Sequence, residues 1–241
     1  MVLIRSLLFN LVLWLSVVIY APLSLLTAAF PRRARYRFIT AWSRFALWAL
    51  RHLCGISFAV SGLEHIPGQP AIVAANHQSA WETLAFQLLF PPQSWVLKRE
   101  LLWIPLFGWA LALTWPIAIN RGAGRRALET ILTDGKERME HGRWVVIFPE
   151  GTRHPPGALG RFGLGAARLA LHTGRPLVPV AHDAGRYWPK RGFLKYPGCI
   201  RVLIGPPIAP TGPVDALNDR LRGWIRDASA SLQAGAPEKL R

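Results

Sequence analysis

The 241-residue sequence predicts an α/β domain, with a largely parallel sheet flanked by helices, behind an N-terminal hydrophobic helical segment. Three observations predict this class. The first 53 residues hold long apolar runs and no acidic residue, because the first carboxylate is Glu64. After Gly62, short apolar runs alternate with stretches of helical periodicity, as in parallel-sheet domains. Hydrophobic residues make up 51% of the chain and charged residues 17%, which excludes a disordered protein.

The segment 1–53 predicts membrane association. No charged residue lies between Leu7 and Phe30, and this run as a helix would be about 36 Å long, enough to cross a bilayer. Pro22 interrupts the run, and after a cluster of arginines a second apolar stretch covers Phe38–Leu53. A transmembrane anchor and a hairpin lying in one leaflet both fit. A cleaved signal peptide fits less well, because its apolar core is usually about 7 to 15 residues.

In the two favoured interpretations, the arginines place the bulk of the chain in the cytoplasm, beside the anionic headgroups of the inner membrane.

The strands and helices predicted after this segment follow in chain order. Seven buried strands are predicted, at Ile56–Val60, Ala71–Ala75, Ser94–Leu97, Pro116–Ile119, Trp144–Phe148, Pro176–Ala181 and Ile200–Ile204. Four helices are predicted, at Trp81–Leu89, Gly124–His141, Leu164–Thr173 and Pro213–Leu232. The α/β domain is therefore expected to span residues 54–234, with 235–241 as a tail. Deletion of residues 1–53 is expected to weaken membrane association strongly while some of the α/β fold survives.

The net charge of +16 predicts an anionic partner, which would be nucleic acid, anionic lipid or a phosphorylated substrate. Eleven tryptophans and a positive mean hydropathy of +0.22 favour lipid. Two cysteines are too few for a disulfide framework or a cysteine-rich zinc site. No metal site is expected, since no set of histidines and carboxylates has zinc-ligand spacing.

A polar cluster, Asn76-His77 followed by Glu82, comes directly after the second predicted strand. In one helix, His77 and Glu82 would point about 140° apart. They meet only if His77 lies in a loop before a helix whose N-cap is Ser79, with Glu82 at the third helical position after that cap. Ser79 and Glu82 also match a capping box, worth about 1 kcal/mol. This segment alone is therefore compatible with two interpretations of Glu82, as the partner of His77 in a catalytic pair or as a helix cap.

A second polar cluster, Phe148–Arg153, follows the fifth predicted strand. Glu150 and Arg153 flank a Gly-Thr turn, which suits a site where an anion meets backbone N–H groups; a surface turn with a weak salt bridge is the alternative. Basic residues also end two other predicted strands: Lys98 with Arg99, and Arg121. On one sheet edge, these cations would form an anion site.

These residues resemble the motifs of the glycerolipid acyltransferases, in particular the bacterial 1-acylglycerol-3-phosphate acyltransferase family. The first family motif is Asn-His-x-x-x-x-Asp, and Glu82 stands here in place of its Asp. The third, Phe-Pro-Glu-Gly-Thr-Arg, is unchanged at Phe148–Arg153. The other blocks occur in family order, at Lys98–Leu101 with Ile104–Gly108, at Ile119–Arg121 and at Pro176–Val180.

The resemblance implies transfer of a fatty acyl chain from an acyl thioester to the free sn-2 hydroxyl of 1-acyl-glycerol-3-phosphate, giving phosphatidic acid for phospholipid biosynthesis. It implies His77 as general base and Glu82 as the group that fixes its tautomer. The phosphate would be held by Lys98, Arg121 and Arg153, oriented by Glu150, with backbone N–H groups of Gly151 and Thr152 near the oxyanion. No cofactor and no covalent enzyme intermediate are expected; acyl-CoA or acyl-carrier protein would be the co-substrate.

Two alternatives stay open from the sequence. The acceptor could be another lyso-lipid, such as lyso-ornithine lipid, because the motifs do not specify it. The protein could instead be a basic membrane-surface or nucleic-acid-binding protein without catalysis, for which the basic and aromatic run Arg186–Arg191 would be suited. Most tryptophans lie in the first half of the chain, where anchoring at a membrane interface explains them better, so no nucleic acid is expected as partner.

Overall fold

The computed structural model describes residues 1–234, so the predicted tail, residues 235–241, lies outside the described residues. The chain begins with two long helices, α1 (Val2–Leu26) and α2 (Arg32–Cys54), joined by a short 3-10 turn. The helices are antiparallel, because Tyr20 stacks on Phe38 near the turn and the Cys54 thiol meets the Arg5 carbonyl at the far end. Pro22 lies inside α1 and does not end it, contrary to the expected interruption.

The α/β part contains seven strands and five helices. The strands are β1 (Ile56–Ser61), β2 (Ile72–Ala75), β3 (Gln93–Lys98), β4 (Ile117–Ile119), β5 (Trp144–Ile147), β6 (Leu177–His182) and β7 (Gly198–Ile204). The helices are α3 (Trp81–Leu89), α4 (Phe107–Ala112), α5 (Arg125–Glu140), α6 (Gly165–Thr173) and α7 (Val214–Ala234). All seven predicted strands and all four predicted helices are confirmed, with ends that differ by at most two residues. Only the short helix α4 was not predicted.

The strands form one sheet in the order β1-β7-β6-β2-β5-β3-β4. Five neighbouring strands, β6, β2, β5, β3 and β4, are parallel, whereas β7 is antiparallel to β6 and carries β1 parallel to itself. The carboxyl ends of the five parallel strands therefore meet at one edge of the sheet. In doubly wound sheets this edge is where ligands bind, and both polar clusters of the sequence follow strands that end there.

Helices cover both faces of the sheet. Residues of α2 and α3 form one buried cluster with Val73 and Val146, and Leu111 of α4 packs against it. Residues of α5, α6 and α7 form a second buried cluster with Ile72 and Val145. Neighbouring residues of one strand thus point to opposite clusters, as expected for strands buried on both faces.

The helical segment and the α/β part share one core. Phe9 of α1 and Leu50 of α2 are buried in the same cluster as Val73 and Ile200 of the sheet. The start of α1 is also bonded to a distant loop, since Ser6 Oγ accepts a hydrogen bond of 2.9 Å from Lys195 N–H. The α/β part therefore takes part of its core from α1 and α2, which weighs against survival of a complete fold in residues 54–234.

Most of α1 is nevertheless exposed. Within residues 1–234, one helical region, Val2–Ala29, is long and apolar enough to cross a membrane. Its exposed side chains include Trp14 at 69% and Ile19 at 65% of their full accessibility. An apolar surface of this length in water is costly, which supports association of this segment with a membrane.

Candidate active site

Two loops at the carboxyl edge of the sheet build the site. The first follows β2 and holds residues 76–80; the second follows β5 and holds residues 148–154. Because β2 and β5 are hydrogen-bonded neighbours, the two loops leave the sheet side by side. Both loops were identified from the sequence, and the sheet order, which was not predicted, is what brings them together.

His77 and Glu82 form a pair in the first loop. The distance from His77 Nδ1 to Glu82 Oε1 is 2.7 Å, and the Glu82 side chain is fully buried. An ionised carboxylate only accepts hydrogen bonds, so Nδ1 carries a proton, and in the neutral imidazole the lone pair of Nε2 is then free. Within residues 1–234, Nε2 has no hydrogen-bond partner, and 12% of the His77 side chain is exposed. The ring therefore presents an unprotonated nitrogen to the surface.

The same Glu82 oxygen also caps the start of α3. Oε1 accepts hydrogen bonds from the backbone N–H groups of Gln78, at 2.9 Å, and Ser79, at 2.8 Å. The sequence left a helix cap and a His77–Glu82 pair as alternatives. In the structure, Glu82 Oε1 takes part in both. The predicted position was wrong in detail: α3 begins at Trp81, so Ala80 is the N-cap and Glu82 is the second helical residue.

The environment of Glu82 keeps it ionised. Burial alone would raise the pKa of this carboxyl group, but nearby His182 and the hydrogen bonds from His77 and Ser79 outweigh burial and lower the pKa below its ordinary value. Burial also lowers the pKa of His182, whose side chain is wholly inaccessible to solvent. The result is a buried negative charge directly behind the His77 ring.

The second loop fixes the backbone of His77 on both sides. Glu150 Oε1 accepts a hydrogen bond of 2.8 Å from His77 N–H, and the N–H of His154 donates one of 2.8 Å to the His77 carbonyl. Glu150 Oε2 accepts from Gly160 N–H at 2.7 Å. The Phe148 ring stacks on the His77 ring, with centroids 4.0 Å apart and planes 9° from parallel.

These contacts correct the role predicted for Glu150. Its carboxylate bonds to backbone N–H groups and contacts none of Lys98, Arg121 and Arg153. Glu150 therefore positions the loop that carries His77 rather than the basic residues. Burial raises its pKa, and the hydrogen bonds from Gly160 and His77 oppose that rise.

The Gly151-Thr152 turn is only partly available to an anion. The N–H of Gly151 donates to the carbonyl of Phe148 at 3.0 Å, so it cannot also serve as the predicted oxyanion donor. Gly151 has a φ of +66°, a left-handed conformation that glycine adopts without strain. The N–H of Thr152 has no acceptor in the described part of the chain and stays a candidate.

The predicted basic residues lie on the same sheet edge but share few contacts. Arg121 donates a hydrogen bond to the Gly151 carbonyl, which joins the loop after β4 to the loop after β5. Lys98 pairs with Glu100 at 3.3 Å and contacts no other predicted site residue. The Arg153 guanidinium has no partner among residues 1–234. Arg153 is thus a cation without an ion-pair partner in the described part of the chain, whereas Lys98 is already paired with Glu100.

Sequence reasoning assigned no role to three residues beside the site: Asn76, which it named only as part of the first motif, His182 and Lys190. Asn76 Oδ1 accepts from His182 N–H at 3.0 Å, and Asn76 Nδ2 donates to the His182 carbonyl at 2.9 Å, which ties the end of β2 to the end of β6. The third is Lys190, whose Nζ donates to the Arg153 carbonyl at 2.8 Å. A polar pair, His182-Asp183, directly after a buried strand was the available signal.

Comparison with known proteins agrees with this geometry. A family model described as "Acyltransferase" matches residues 57–183. A 1-acyl-sn-glycerol-3-phosphate acyltransferase of Pseudomonas aeruginosa is 46% identical over 235 residues, which cover 95% of this chain and 91% of that protein. The human 1-acyl-sn-glycerol-3-phosphate acyltransferase alpha is 32% identical over 74% of this chain and 66% of its own length.

The fold has a solved counterpart. The crystal structure of the 1-acyl-sn-glycerophosphate (LPA) acyltransferase of Thermotoga maritima matches with a TM-score of 0.79 over 99% of this chain and 100% of that one. Their sequence identity is 24%, so this likeness bears on the fold alone. The family model covers both loops and the His77–Glu82 pair, and the match to the Pseudomonas relative covers nearly the whole chain. The chain belongs to the acyltransferase family.

Proposed function

We propose that this protein transfers a fatty acyl chain from an acyl thioester to the free sn-2 hydroxyl of 1-acyl-glycerol-3-phosphate, giving phosphatidic acid. The observation that carries the proposal is the 2.7 Å contact between His77 Nδ1 and buried Glu82, which leaves Nε2 unprotonated at the surface. The activity is that named for the Pseudomonas and human relatives. Acyl transfer to a hydroxyl needs such a base, because a neutral alcohol attacks a thioester slowly.

The geometry supports a direct transfer. His77 Nε2 removes the proton of the acceptor hydroxyl while the hydroxyl oxygen attacks the thioester carbonyl carbon. The C–S bond then breaks, its electrons leave with sulfur, and the thiolate takes the proton from the His77 imidazolium. Glu82 stabilises that imidazolium and keeps Nδ1 protonated, as the aspartate does in a serine-protease triad. The products are the new ester and a free thiol, and His77 is neutral again.

Cations at the sheet edge are suited to the acceptor phosphate. Arg153 has an uncommitted guanidinium on the second loop, beside the loop that carries His77, and Arg121 is bonded to that second loop. An arginine binds two phosphate oxygens at once, which places the sn-2 hydroxyl at a defined distance from the base. We assign Arg153 and Arg121 to the phosphate, with Lys98 as a third cation, and Thr152 N–H to the oxyanion.

The hydrophobic hairpin supports a membrane location for the reaction. Both the lyso-lipid and the product are dissolved in a leaflet, so an enzyme attached there meets them directly. The arginines that begin α2 favour the inner membrane with the α/β part in the cytoplasm. The acyl donor there would be acyl-CoA or acyl-carrier protein, both of which are anionic and are attracted to a chain of net charge +16. No further cofactor is needed.

The test is an acyl-transfer assay on purified protein in neutral detergent. Labelled acyl-CoA and, separately, acyl-carrier protein would be offered with lysophosphatidic acid, lysophosphatidylcholine or lyso-ornithine lipid. We expect turnover with lysophosphatidic acid, and its loss in His77→Ala. His172→Ala is the matched control, because His172 is an exposed histidine on α6, at the other face of the sheet.

Two results would overturn the proposal. Normal turnover by folded His77→Ala would remove the proposed base. Faster turnover of lyso-ornithine lipid than of lysophosphatidic acid would keep the chemistry but replace the acceptor. Circular dichroism of both variants would show that any loss is not due to unfolding.

A further inference from the structure

Lys190 reaches from the loop after β6 to the second loop of the site. Its Nζ donates a hydrogen bond of 2.8 Å to the Arg153 carbonyl and one of 3.4 Å to Thr152 Oγ1. Lys190 belongs to the basic and aromatic run Arg186–Arg191, which lies outside the family motifs. A cation from outside the motifs therefore contacts the turn that carries Arg153.

The loop that carries Lys190 is fixed to the rest of the fold. Trp188 is only 8% exposed and packs edge-on against Phe9 of α1, with ring centroids 5.4 Å apart. Tyr196 N–H donates a hydrogen bond of 2.8 Å to the Tyr187 carbonyl, which closes the loop. Lys190 is thus held beside the turn before a substrate binds, and this lowers the entropy cost of a further contact.

The ammonium group of Lys190 keeps one donor and its charge for a ligand. Lys190 forms no ion pair within residues 1–234. An ammonium has three N–H donors, and the two oxygens of Thr152 and Arg153 take two of them. The Thr152 hydroxyl accepts from Lys190, so its own proton is also available. Lys190, the Thr152 hydroxyl and the Arg153 guanidinium therefore form one group of donors.

Phosphate monoesters and phosphate diesters differ in what they offer to such a group of donors. A monoester has three terminal oxygens and a charge of about −1.5 to −2 at pH 7, whereas a diester has two terminal oxygens and a single negative charge. The planar fork of an arginine binds two oxygens in parallel. Arg153 alone therefore suffices for a diester, and the third oxygen of a monoester needs another donor. Lys190 has a free N–H beside Arg153.

Two other cations near the site are less suited to the third oxygen. Lys98 is already paired with Glu100 at 3.3 Å. Arg121 donates to the Gly151 carbonyl, one residue before the turn, and the negative charge of Glu100 also acts on its guanidinium. Burial lowers the pKa of Arg121, and Glu100 opposes that change.

We propose that Lys190 binds the third phosphate oxygen of the acceptor and thereby makes the site selective for a phosphate monoester over a phosphate diester. This specificity rests on the proposed function and adds a residue to it. The phosphate of 1-acyl-glycerol-3-phosphate is a monoester, whereas that of lysophosphatidylglycerol is a diester. An enzyme with this preference acylates the precursor of phospholipids and discriminates against lyso-lipids that carry a finished headgroup.

Acceptor kinetics in neutral detergent test Lys190. The value of kcat/KM would be measured for wild type and Lys190→Met with lysophosphatidic acid and with lysophosphatidylglycerol. If the diester is not acylated, its inhibition constant against lysophosphatidic acid takes the place of kcat/KM. Loss of a charge-assisted hydrogen bond should lower kcat/KM for the monoester about 10- to 150-fold, while the value for the diester stays close to that of wild type. Lys190→Arg, which keeps the charge, should recover part of the loss.

A matched control separates the contact from net charge. Lys136 is an exposed lysine near the end of α5, which runs back toward the opposite edge of the sheet, so Lys136→Met should leave both values unchanged. Equal losses with monoester and diester in folded Lys190→Met would overturn the proposal, because they would show a general effect on the loop. Monoester preference that survives in Lys190→Met and disappears in Arg121→Gln would assign the third oxygen to Arg121 instead.

Binding without turnover separates this proposal from the proposed function. Lysophosphatidic acid and lysophosphatidylglycerol would be titrated calorimetrically into wild type and Lys190→Met in detergent, with no acyl donor present. We expect the variant to lose affinity for the monoester by the same factor of about 10 to 150 and to keep its affinity for the diester. Absence of turnover by wild type would refute the proposed acyl transfer, whereas unchanged binding of the monoester by Lys190→Met would refute the role of Lys190.

Discussion

One oxygen of Glu82 joins His77, the proposed base, to the scaffold. Glu82 Oε1 accepts from the His77 ring and from the backbone N–H groups of Gln78 and Ser79, so the orientation of the ring and the start of α3 depend on the same atom. Hydrogen bonds to the loop carrying His77 from Glu150 and His154 complete the support. The base is thus preorganised before any substrate binds.

Glu82→Gln separates the two roles of this side chain. The amide oxygen can still accept from Ser79 and Gln78, so we expect the free energy of unfolding to fall by only about 1 kcal/mol. The negative charge behind the imidazolium is lost, so kcat should fall between about 10²-fold and 10⁴-fold. Enzyme kinetics and thermal unfolding measure the two effects. Glu82→Asp, which keeps the charge, should retain more activity, and near-normal turnover by the Gln variant would leave only the capping role.

The pH dependence of stability offers a second test of Glu82. Its pKa is lowered below the ordinary 4.5, so its contribution to stability is fully present above that value and is lost as the pH falls through the folded-state pKa. The difference in Tm between wild type and Glu82→Gln should therefore shrink below pH 4.5. Thermal unfolding between pH 7 and pH 3 measures it. A difference that stays constant with pH would mean that Glu82 is not ionised in the folded protein.

Arg153→Ala tests the phosphate assignment. Loss of a charge-assisted hydrogen bond should raise the KM for the lyso-lipid by about 10- to 150-fold, with a smaller effect on the KM for the thioester. Initial-rate kinetics with each substrate varied in turn measure both constants. Arg168→Ala, an exposed arginine on α6, is the control. Unchanged acceptor kinetics in folded Arg153→Ala would exclude Arg153 from the site.

Residue identity was easier to predict than residue contact. The sequence identified His77 and Glu82 because their spacing admits only one way to meet, across a loop and a first helical turn. It assigned Glu150 to the basic residues and Gly151 N–H to the oxyanion, yet both groups bond to backbone atoms. Such bonds depend on how the two loops pack against each other. The spacing of residues within one loop carries no information about that packing.

At the scale of elements, buried strands and amphipathic helices were predicted well because burial leaves a periodic pattern. The helix α4 was missed because it has only six residues and its start is irregular. Leu106 has a positive φ of 62°, and a Cβ on Gly108 would come within 2.5 Å of the Leu101 carbonyl oxygen. A close approach of two backbone segments leaves no periodic pattern in the sequence, so the sequence could not predict this helix.

Two aromatic residues of α1 should respond in opposite ways. Phe9 is fully buried against Trp188, with ring centroids 5.4 Å apart, so Phe9→Ala should cost about 3 to 5 kcal/mol of stability. Trp14 is 69% exposed, so Trp14→Ala should change stability by less than about 0.5 kcal/mol but weaken vesicle binding. Denaturant unfolding in detergent and vesicle co-sedimentation measure the pair. Equal effects of both changes on stability would mean that α1 does not pack as described.

At the scale of the whole molecule, the order of the sheet was beyond sequence reasoning. The reversal of β7 comes from its antiparallel pairing with β6, in which Val180 faces Ile204. β1 shares this direction because it pairs in parallel with β7, from Ile56 opposite Gly198, residues far apart in the chain. The parallel order of the remaining strands is what gathers the two loops and the basic residues at one edge. The family motifs predicted which residues belong to the candidate site. The pairing of strands far apart in the sequence determines where those residues lie.

Removal of residues 2–53 tests the shared core. Tyr36, Leu47 and Leu50 are buried against the α/β part, and each such side chain contributes about 1.5 to 3 kcal/mol, against a total stability of about 5 to 15 kcal/mol. We expect the truncated protein to lose cooperative unfolding and to aggregate even in detergent. Circular dichroism and size-exclusion chromatography measure this. A folded, monomeric truncated protein would show that the α/β part is independent.

The hydrogen bond between Ser6 and Lys195 has a consequence for biosynthesis. The first helix leaves the ribosome long before its partner exists, because 189 positions of the chain separate the two residues. Contacts between residues so far apart in the chain form late in folding. Until then, an apolar helix exposed to water promotes aggregation of the nascent chain. We therefore expect α1 to enter the bilayer while translation continues and to meet its partner loop only near the end of synthesis. The leaflet would then protect the nascent chain from aggregation during synthesis, before it provides the folded enzyme with its lipid substrate.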